Sequence, residues 1–224
     1  MLKELFVTLP TADNEWDLVV AARIKLPEGE SVGWDTVIKF DDGISGFATV
    51  DKKPFDLQSG RKIEDCYRIS SGDKSRFLKK GKAVGIVLYA YRNKCFGGVG
   101  TAFPFFDKES GECKILGTHW KYTIMIVNCK ALIEHISATQ NHSITAYECS
   151  KYLRNLEEAA LDKLLCGVLL QKLKTIHYTD IREHCDEISD LINEQFINQG
   201  GMTCSGLQPI GFSCEGIILN GKPM

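Results

Sequence analysis

Three groups of residues have the types and spacing to do chemistry, and each also has an ordinary structural use. The first is Gly97-Gly98-Val99-Gly100-Thr101. Closely spaced glycines let backbone N–H groups approach a phosphate. Here no Lys-Ser or Lys-Thr follows, no third glycine falls at dinucleotide spacing, and the next residues read as a strand. The run therefore predicts a bent or bulged strand, not a nucleotide loop. The second group is His184-Cys185, a nucleophile beside a base. Neighbours in a helix point about 100° apart and cannot pair directly. Cys185 also falls on an apolar stripe, so the pattern predicts a buried structural thiol. The third is Cys113 with His119, one pair of metal-ligating types without a second pair, where zinc needs four ligands. His135, His142 and His177 lie near expected helix ends, where capping and dipole contacts explain them. No catalytic residue, metal ligand or cofactor site is assigned on these grounds.

Composition narrows the classes further. With 224 residues, 44% hydrophobic, the chain can bury a substantial core in one domain or two small ones. A net charge of -2 gives no concentrated basic field, which argues against a nucleic-acid partner. Lys52-Lys53 and Lys79-Lys80 with Lys82 read as solvated loop charges, able to touch anionic headgroups weakly. No run approaches the roughly 20 apolar residues of a membrane span, and Met1-Leu2-Lys3-Glu4 lacks the apolar core of a signal peptide. A soluble, cytoplasmic protein is expected. Nine cysteines fit that compartment: the number is odd, no Cys-x-x-Cys occurs, and many sit at apolar positions, as small buried hydrophobes do. In that compartment the sequon Asn141-His142-Ser143 has no use.

The elements that would position these residues read as follows. Cys95 to Ile133 reads as two strands joined by a turn at Asp107 to Glu112, with Trp120, Tyr122, Ile124 and Ile126 on one face of the second. Glu15 to Leu26 alternates throughout and predicts a strand; Pro27 to Glu30 breaks it. A second strand carries Val32, Trp34, Thr36, Ile38 and Phe40, ended by Asp41-Asp42-Gly43. Brief strands and loops are expected from Ile44 to Ser71. Ala83 to Tyr91 is apolar on both faces, as in a strand covered on both sides. The period then changes. Lys130 to Ser137 reads as a short helix. Thr145 and Glu148 have capping-box spacing and open a long helix to about Lys174, striped by Leu153, Leu156, Ala160 and Leu164. A second long helix starts after Thr179, carries Ile181, Cys185, Ile188, Ile192 and Phe196, and stops at Gly200-Gly201. A last strand alternates Ile210, Phe212 and Cys214. The class is α+β: a β-rich portion, 1–128, followed by a helical portion with the final strand, 129–224, packed as one unit.

The order of these elements, with Gly100-Thr101, Pro104, Asp107, Gly117-Thr118, Tyr122, Ile124 and Gly200-Gly201, resembles the SPFH (band 7) superfamily of stomatins, prohibitins and flotillins, and within it the soluble bacterial virion-core-protein-like branch. The resemblance covers Lys94 to Cys214, roughly half the chain. Many relatives have Asp-Pro before the first helix, where this chain has Asn128-Cys129, a local loosening of the helix entry. The long coiled-coil segment that many relatives use for ring assembly is expected to be missing. The resemblance implies a non-enzymatic scaffold or assembly module that self-associates, takes membrane-associated protein partners, and meets a membrane only peripherally on its cytoplasmic face. The alternative is a small thiol-dependent hydrolase, whose Cys/His pair folding would have to bring together. Among the aromatic residues Phe96, Phe103, Phe105, Phe106 and Trp120, most are expected in the core between sheet and helices. Phe103, Phe105, Phe106 and Trp120 are the interaction candidates if one face is exposed. Arg154, Glu157 and Glu158 read as a solvated helix face.

Overall fold

The computed structural model describes residues 1–50, 53–71, 86–136, 143–155, 161–198 and 206–223. Three open sheets and five helices make a mixed α+β fold among these residues. Strands β1 (Leu2–Val7), β3 (Val32–Phe40) and β6 (Arg61–Lys62) form the first sheet, with β1 and β3 parallel. The second sheet runs β10 (Ser143–Thr145), β2 (Val19–Arg23), β7 (Val87–Arg92), β4 (Ile44–Val50), β5 (Lys53–Leu57). The third runs β12 (Lys222–Pro223), β11 (Leu207–Leu219), β9 (Glu112–Ile126), β8 (Lys94–Asp107) and is antiparallel throughout.

The five-stranded sheet is a wall between two cores. One side of its central strand, Leu88 and Ala90, joins Ile38, Phe55 and Ile63 in a core closed by α1 (Ile63–Ser71). The other side, Tyr89 and Tyr91, packs on the core of the third sheet, where Tyr89 stacks on Phe47 with ring centroids 4.8 Å apart. A strand covered on both faces must be apolar on both, and that is the pattern of Val87 to Tyr91; Ala83 to Gly85 lie outside the described residues. The third sheet's inner face, led by Trp120, Tyr122 and Ile124, is covered by α2 (Cys129–Ile136), α3 (Ala146–Asn155), α4 (Leu161–Lys172) and α5 (Cys185–Asn198). So β8 and β9, which precede residue 128, share their core with the helices that follow it.

Several expectations need correction. Glu15 to Leu26 is not one strand. Asn14 accepts the Trp16 N–H on its side chain (2.9 Å) and the Asp17 N–H on its carbonyl (3.1 Å), which winds Glu15–Asp17 into a 3-10 turn, and only Val19–Arg23 pairs as a strand. The stretch after Ile44 holds a helix, α1, opened by Glu64 and Asp65, where acidic side chains favour the positive end of the helix dipole. The second long helix begins at Cys185, not after Thr179. Tyr178–Arg182 is a separate 3-10 turn capped by His177, whose Nδ1 pairs with the Thr179 hydroxyl at 2.7 Å. The glycine run in β8 makes no bulge: β8 and β9 stay in register from Lys94↔Met125 to Asp107↔Glu112. In the third sheet the register shifts lie in β11, between Ile210 and Ser213 and between Cys214 and Gly216.

Other local readings hold. Thr145 and Glu148 cap α3 reciprocally, Thr145 N–H donating to Glu148 Oε2 (2.7 Å) and Glu148 N–H to Thr145 Oγ1 (3.3 Å). At Asn128-Cys129, where a loosened helix entry is expected, Asn128 instead caps α2 by accepting the Ala131 N–H on its side chain at 3.1 Å. Leu156, Glu157, Glu158, Ala160, His142, Gly200, Gly201 and Lys52, Lys79, Lys80 and Lys82 lie outside the described residues, as does the side chain of His135.

Candidate functional site

Strand alternation in the third sheet decides which residues meet solvent. Residues of β9 with even numbers, from Leu116 to Ile126, point into the core, and their β8 partners Cys95, Val99 and Phe103 point the same way. The odd residues of β9 and the even residues of β8 form the outer face. Along its middle run Gly98, Gly100 and Ala102 of β8, Gly117 of β9 and Gly216 of β11. At one end Ile115 lies opposite Pro104, Phe106 opposite Cys113, and Ile218 opposite Gly117. Phe106 is 61% exposed, Ile115 56% and Ile218 43%. At the other end Phe96 and Met125 are exposed. The result is a face apolar at both ends, with a low strip at Gly100, Ala102, Gly117 and Gly216 beside the side chains of His119 and Lys121 in its middle.

The interaction candidates separate on this geometry. Trp120 has no exposed surface and Phe103 is buried, so neither can touch a partner. Phe105 is half-buried, its ring edge-on to Tyr178 at 5.6 Å. Tyr178 also receives the Lys114 ammonium over its face, and Lys114 pairs with Asp107 in the hairpin turn at 2.5 Å. Phe106 alone of the four offers its ring to solvent. Ile115, Ile218, Met125 and Trp16 were not among the candidates. The period-two pattern that puts Trp120 and Tyr122 inside also puts Ile115 and Met125 outside, so that signal was present for two of them. The bulges of β11 hide Ile218, and the 3-10 turn hides Trp16.

A cleft of about 240 Å³ opens beside this face, lined by Glu15, Trp16, Phe96, Gly97, Gly98, His119, Lys121 and Glu215. Its charged side chains already have partners. Lys121 Nζ lies 2.9 Å from Glu15 Oε2 and 4.7 Å from the centre of the Phe96 ring. Glu215 Oε1 accepts the Ser213 hydroxyl at 3.2 Å. No thiol or serine hydroxyl stands next to His119 in the cleft's lining, so the arrangement has an aromatic and ionic character without a nucleophile and base pair.

The other chemical candidates fall apart in space. Cys113 and His119 are six residues apart on one strand, about 20 Å along it, too far to share an ion. Among the described residues, no three His, Cys, Asp or Glu side chains cluster as metal ligands. Cys185 faces away from its neighbour: its sulfur accepts the Cys214 N–H at 3.2 Å, while His184 Nδ1 lies 3.5 Å from Glu187 Oε2. Burial pushes the Cys185 thiol above the ordinary thiol range, which leaves it less nucleophilic at neutral pH. Within the glycine run of β8, Gly97 has the sharpest requirement. A Cβ there would stand 2.6 Å from the Tyr122 ring, so the missing side chain is where that ring lies. No family model matches the chain, and no curated protein matches it.

Proposed function

We propose that this chain is a non-enzymatic SPFH-type scaffold module that self-associates and engages protein partners, with the outer face of β8, β9 and β11 as its contact surface. The observation that carries the reading is the exposure of Phe106, Ile115 and Ile218 at one end of a glycine-smoothed sheet face. Soluble folds seldom leave large apolar side chains adjacent on a flat surface unless something covers them. Around Gly100, Gly117 and Gly216 the missing side chains let another element come close, beside His119 and Lys121 of β9. The order of elements supports the family assignment: a long hairpin, helices across its inner face, and a last strand returning to pair with β9. Contact with a membrane, in this reading, is peripheral; among the described residues no helix is long and apolar enough to cross one.

The test is molar mass by light scattering over a range of concentrations, alone and with anionic or neutral vesicles. Mass should rise above the monomer with concentration. The double variant Phe106→Ser, Ile115→Ser should stay monomeric while melting like the parent, since both side chains are already in water. A parent that is monomeric at every concentration and ignores both vesicle types would overturn self-association and membrane contact together.

A further inference from the structure

Two backbone donors of β11, beside its register shifts, bond to side chains of α5. Phe212 N–H donates to Ser189 Oγ at 3.0 Å, and Cys214 N–H donates to Cys185 Sγ at 3.2 Å. Cys185 and Ser189 are one helical turn apart, so a single face of α5 is stitched to β11 at both points. Cys214 sits opposite Trp120, whose side chain is in the core, so the Cys214 side chain points to the same side, where α5 packs. With Cys185 Sγ 3.2 Å from Cys214 N, standard bond lengths place the two Cα atoms no more than about 7.5 Å apart. Disulfides span about 4.4–6.8 Å between Cα atoms, so little or no backbone movement is required.

We infer that Cys185 and Cys214 form a thiol oxidation site, closing a reversible disulfide that ties the start of α5 to β11. Accessibility combined with a neighbouring thiol separates this pair from the other described thiols: Cys166 is half-buried too, but its neighbours are Thr101 and Asp162. Cys95 and Cys149 are in side-chain contact but are both buried in the core, whereas Cys185 and Cys214 are each only half-buried. Cys113 is exposed but stands on the opposite face of the sheet. The oxidant is a hydroperoxide. The Cys185 thiolate, held by the Cys214 N–H, attacks the peroxide: an S–O bond forms, the O–O bond breaks, and with hydrogen peroxide the leaving oxygen takes a proton and departs as water. The Cys214 sulfur then attacks the sulfenic sulfur of Cys185. An S–S bond forms, the S–O bond breaks, and the hydroxyl leaves with the Cys214 proton as a second water. A small dithiol reverses the reaction by exchange. Burial raises both thiols above their ordinary range, so the site reacts slowly and registers sustained oxidant.

Cys204 lies outside the described residues, so the experiment uses the full chain carrying Cys204→Ser. Treated with hydrogen peroxide, it should lose about 2 Da, the mass of two hydrogens. Cleavage after glutamate places Cys185 in fragment 184–187 and Cys214 in fragment 195–215, and the two should be recovered linked until a dithiol is added. The linked species should melt at a higher temperature than the reduced one, because the bond spans 29 residues and restricts the unfolded chain. Cys214→Ser in the same background should lose both the mass change and the thermal shift, leaving Cys185 as a sulfenic acid trapped by dimedone. Failure to recover the linked fragments once Cys113 is fully oxidised would overturn the proposal, as would the same mass loss in the Cys214→Ser variant.

Discussion

Gly97→Ala tests the account of the glycine run most directly. Gly97 lies opposite Tyr122, and a methyl group there would meet Cε2 and Cζ of that ring at 2.6 Å and its hydroxyl at 2.8 Å. That is about 0.8 Å short of ordinary contact, deep on the repulsive wall. Tyr122 has no room to yield: it is buried, stacked on Phe212 at 5.0 Å, and its hydroxyl lies 3.2 Å from Ser150 Oγ. Overpacking of a dense core costs about 1–3 kcal/mol. Pulling the tyrosine away from Ser150 adds about 1 kcal/mol. Reduced freedom of the unfolded chain returns about 0.4–1 kcal/mol. The net loss is about 1–3.6 kcal/mol, which at this chain length lowers the melting temperature by roughly 2–4 °C for each kcal/mol. The control is Gly100→Ala, whose methyl would find its nearest neighbour at 3.7 Å and should be neutral or slightly stabilising. Urea unfolding of both, followed by tryptophan fluorescence, decides the matter. If Gly97→Ala matches the parent, or Gly100→Ala falls as far, the argument that β8 keeps its glycine to seat an aromatic ring is wrong.

Two further outcomes follow from buried polar groups. Ser150 puts one hydroxyl within reach of the Gly98 N–H (3.3 Å), the Gly98 carbonyl (3.2 Å) and the Tyr122 hydroxyl (3.2 Å), on the edge of β8. Ser150→Ala leaves that N–H without a partner and should cost about 1–3 kcal/mol in urea unfolding; a loss below about 0.5 kcal/mol would mean water replaces the hydroxyl. Asp107 accepts from Lys114, from the Ser110 hydroxyl and from the Glu109 N–H, and these bonds hold its carboxyl well below the ordinary carboxylate range. Its folded pKa is below its unfolded value of about 3.9, so its stabilising contribution is complete above that value and is lost as pH falls through the folded one. The melting difference between parent and Asp107→Asn should therefore be largest near neutrality and shrink progressively on acidification below about pH 4; a difference independent of pH would refute the assignment.

What the sequence made legible depended on how local its cause was. The hairpin around Asp107 to Glu112 is specified by residues that bond within the turn, Gly111 at positive φ and Asp107 to its neighbours, and its expected place holds. The Thr145 and Glu148 cap is equally local. Glu15 to Leu26 misled because its apolar residues serve two cores, Val20 and Ala21 in one, Val19 and Ala22 in the other, so the expected single face does not exist, and Asn14 overrides the pattern at Trp16. Cys185 illustrates a different limit. Its apolar spacing was visible, but its sulfur bonds to a strand 29 residues away through a bulge that no local pattern announces. Trp120 and Phe106 belong to one aromatic cluster in sequence and end on opposite faces of one sheet, because register, not composition, assigns the face.

The same register gives the glycines of the third sheet two unrelated jobs. Gly97 points inward, and its missing side chain is filled by Tyr122 from the adjacent strand. Gly98, one residue on, points outward, where the Trp16 ring would stand 3.0 Å from a Cβ, so the 3-10 turn lies directly on the strand. Gly100 and Gly216 meet no such ring; added side chains there would find ordinary contact or open space, so packing does not demand glycine at either. A residue that costs strand stability relative to alanine, and that the monomer's own packing does not require, is the expected mark of a face shaped for something that approaches it. In the scaffold proposed above, the outer ends with Phe106 and Ile115 would supply adhesion and the strip at Gly100 and Gly216 would supply fit. Substituting Gly100 and Gly216 by bulkier residues should then weaken self-association more than it weakens folding, the reverse of what Gly97→Ala does.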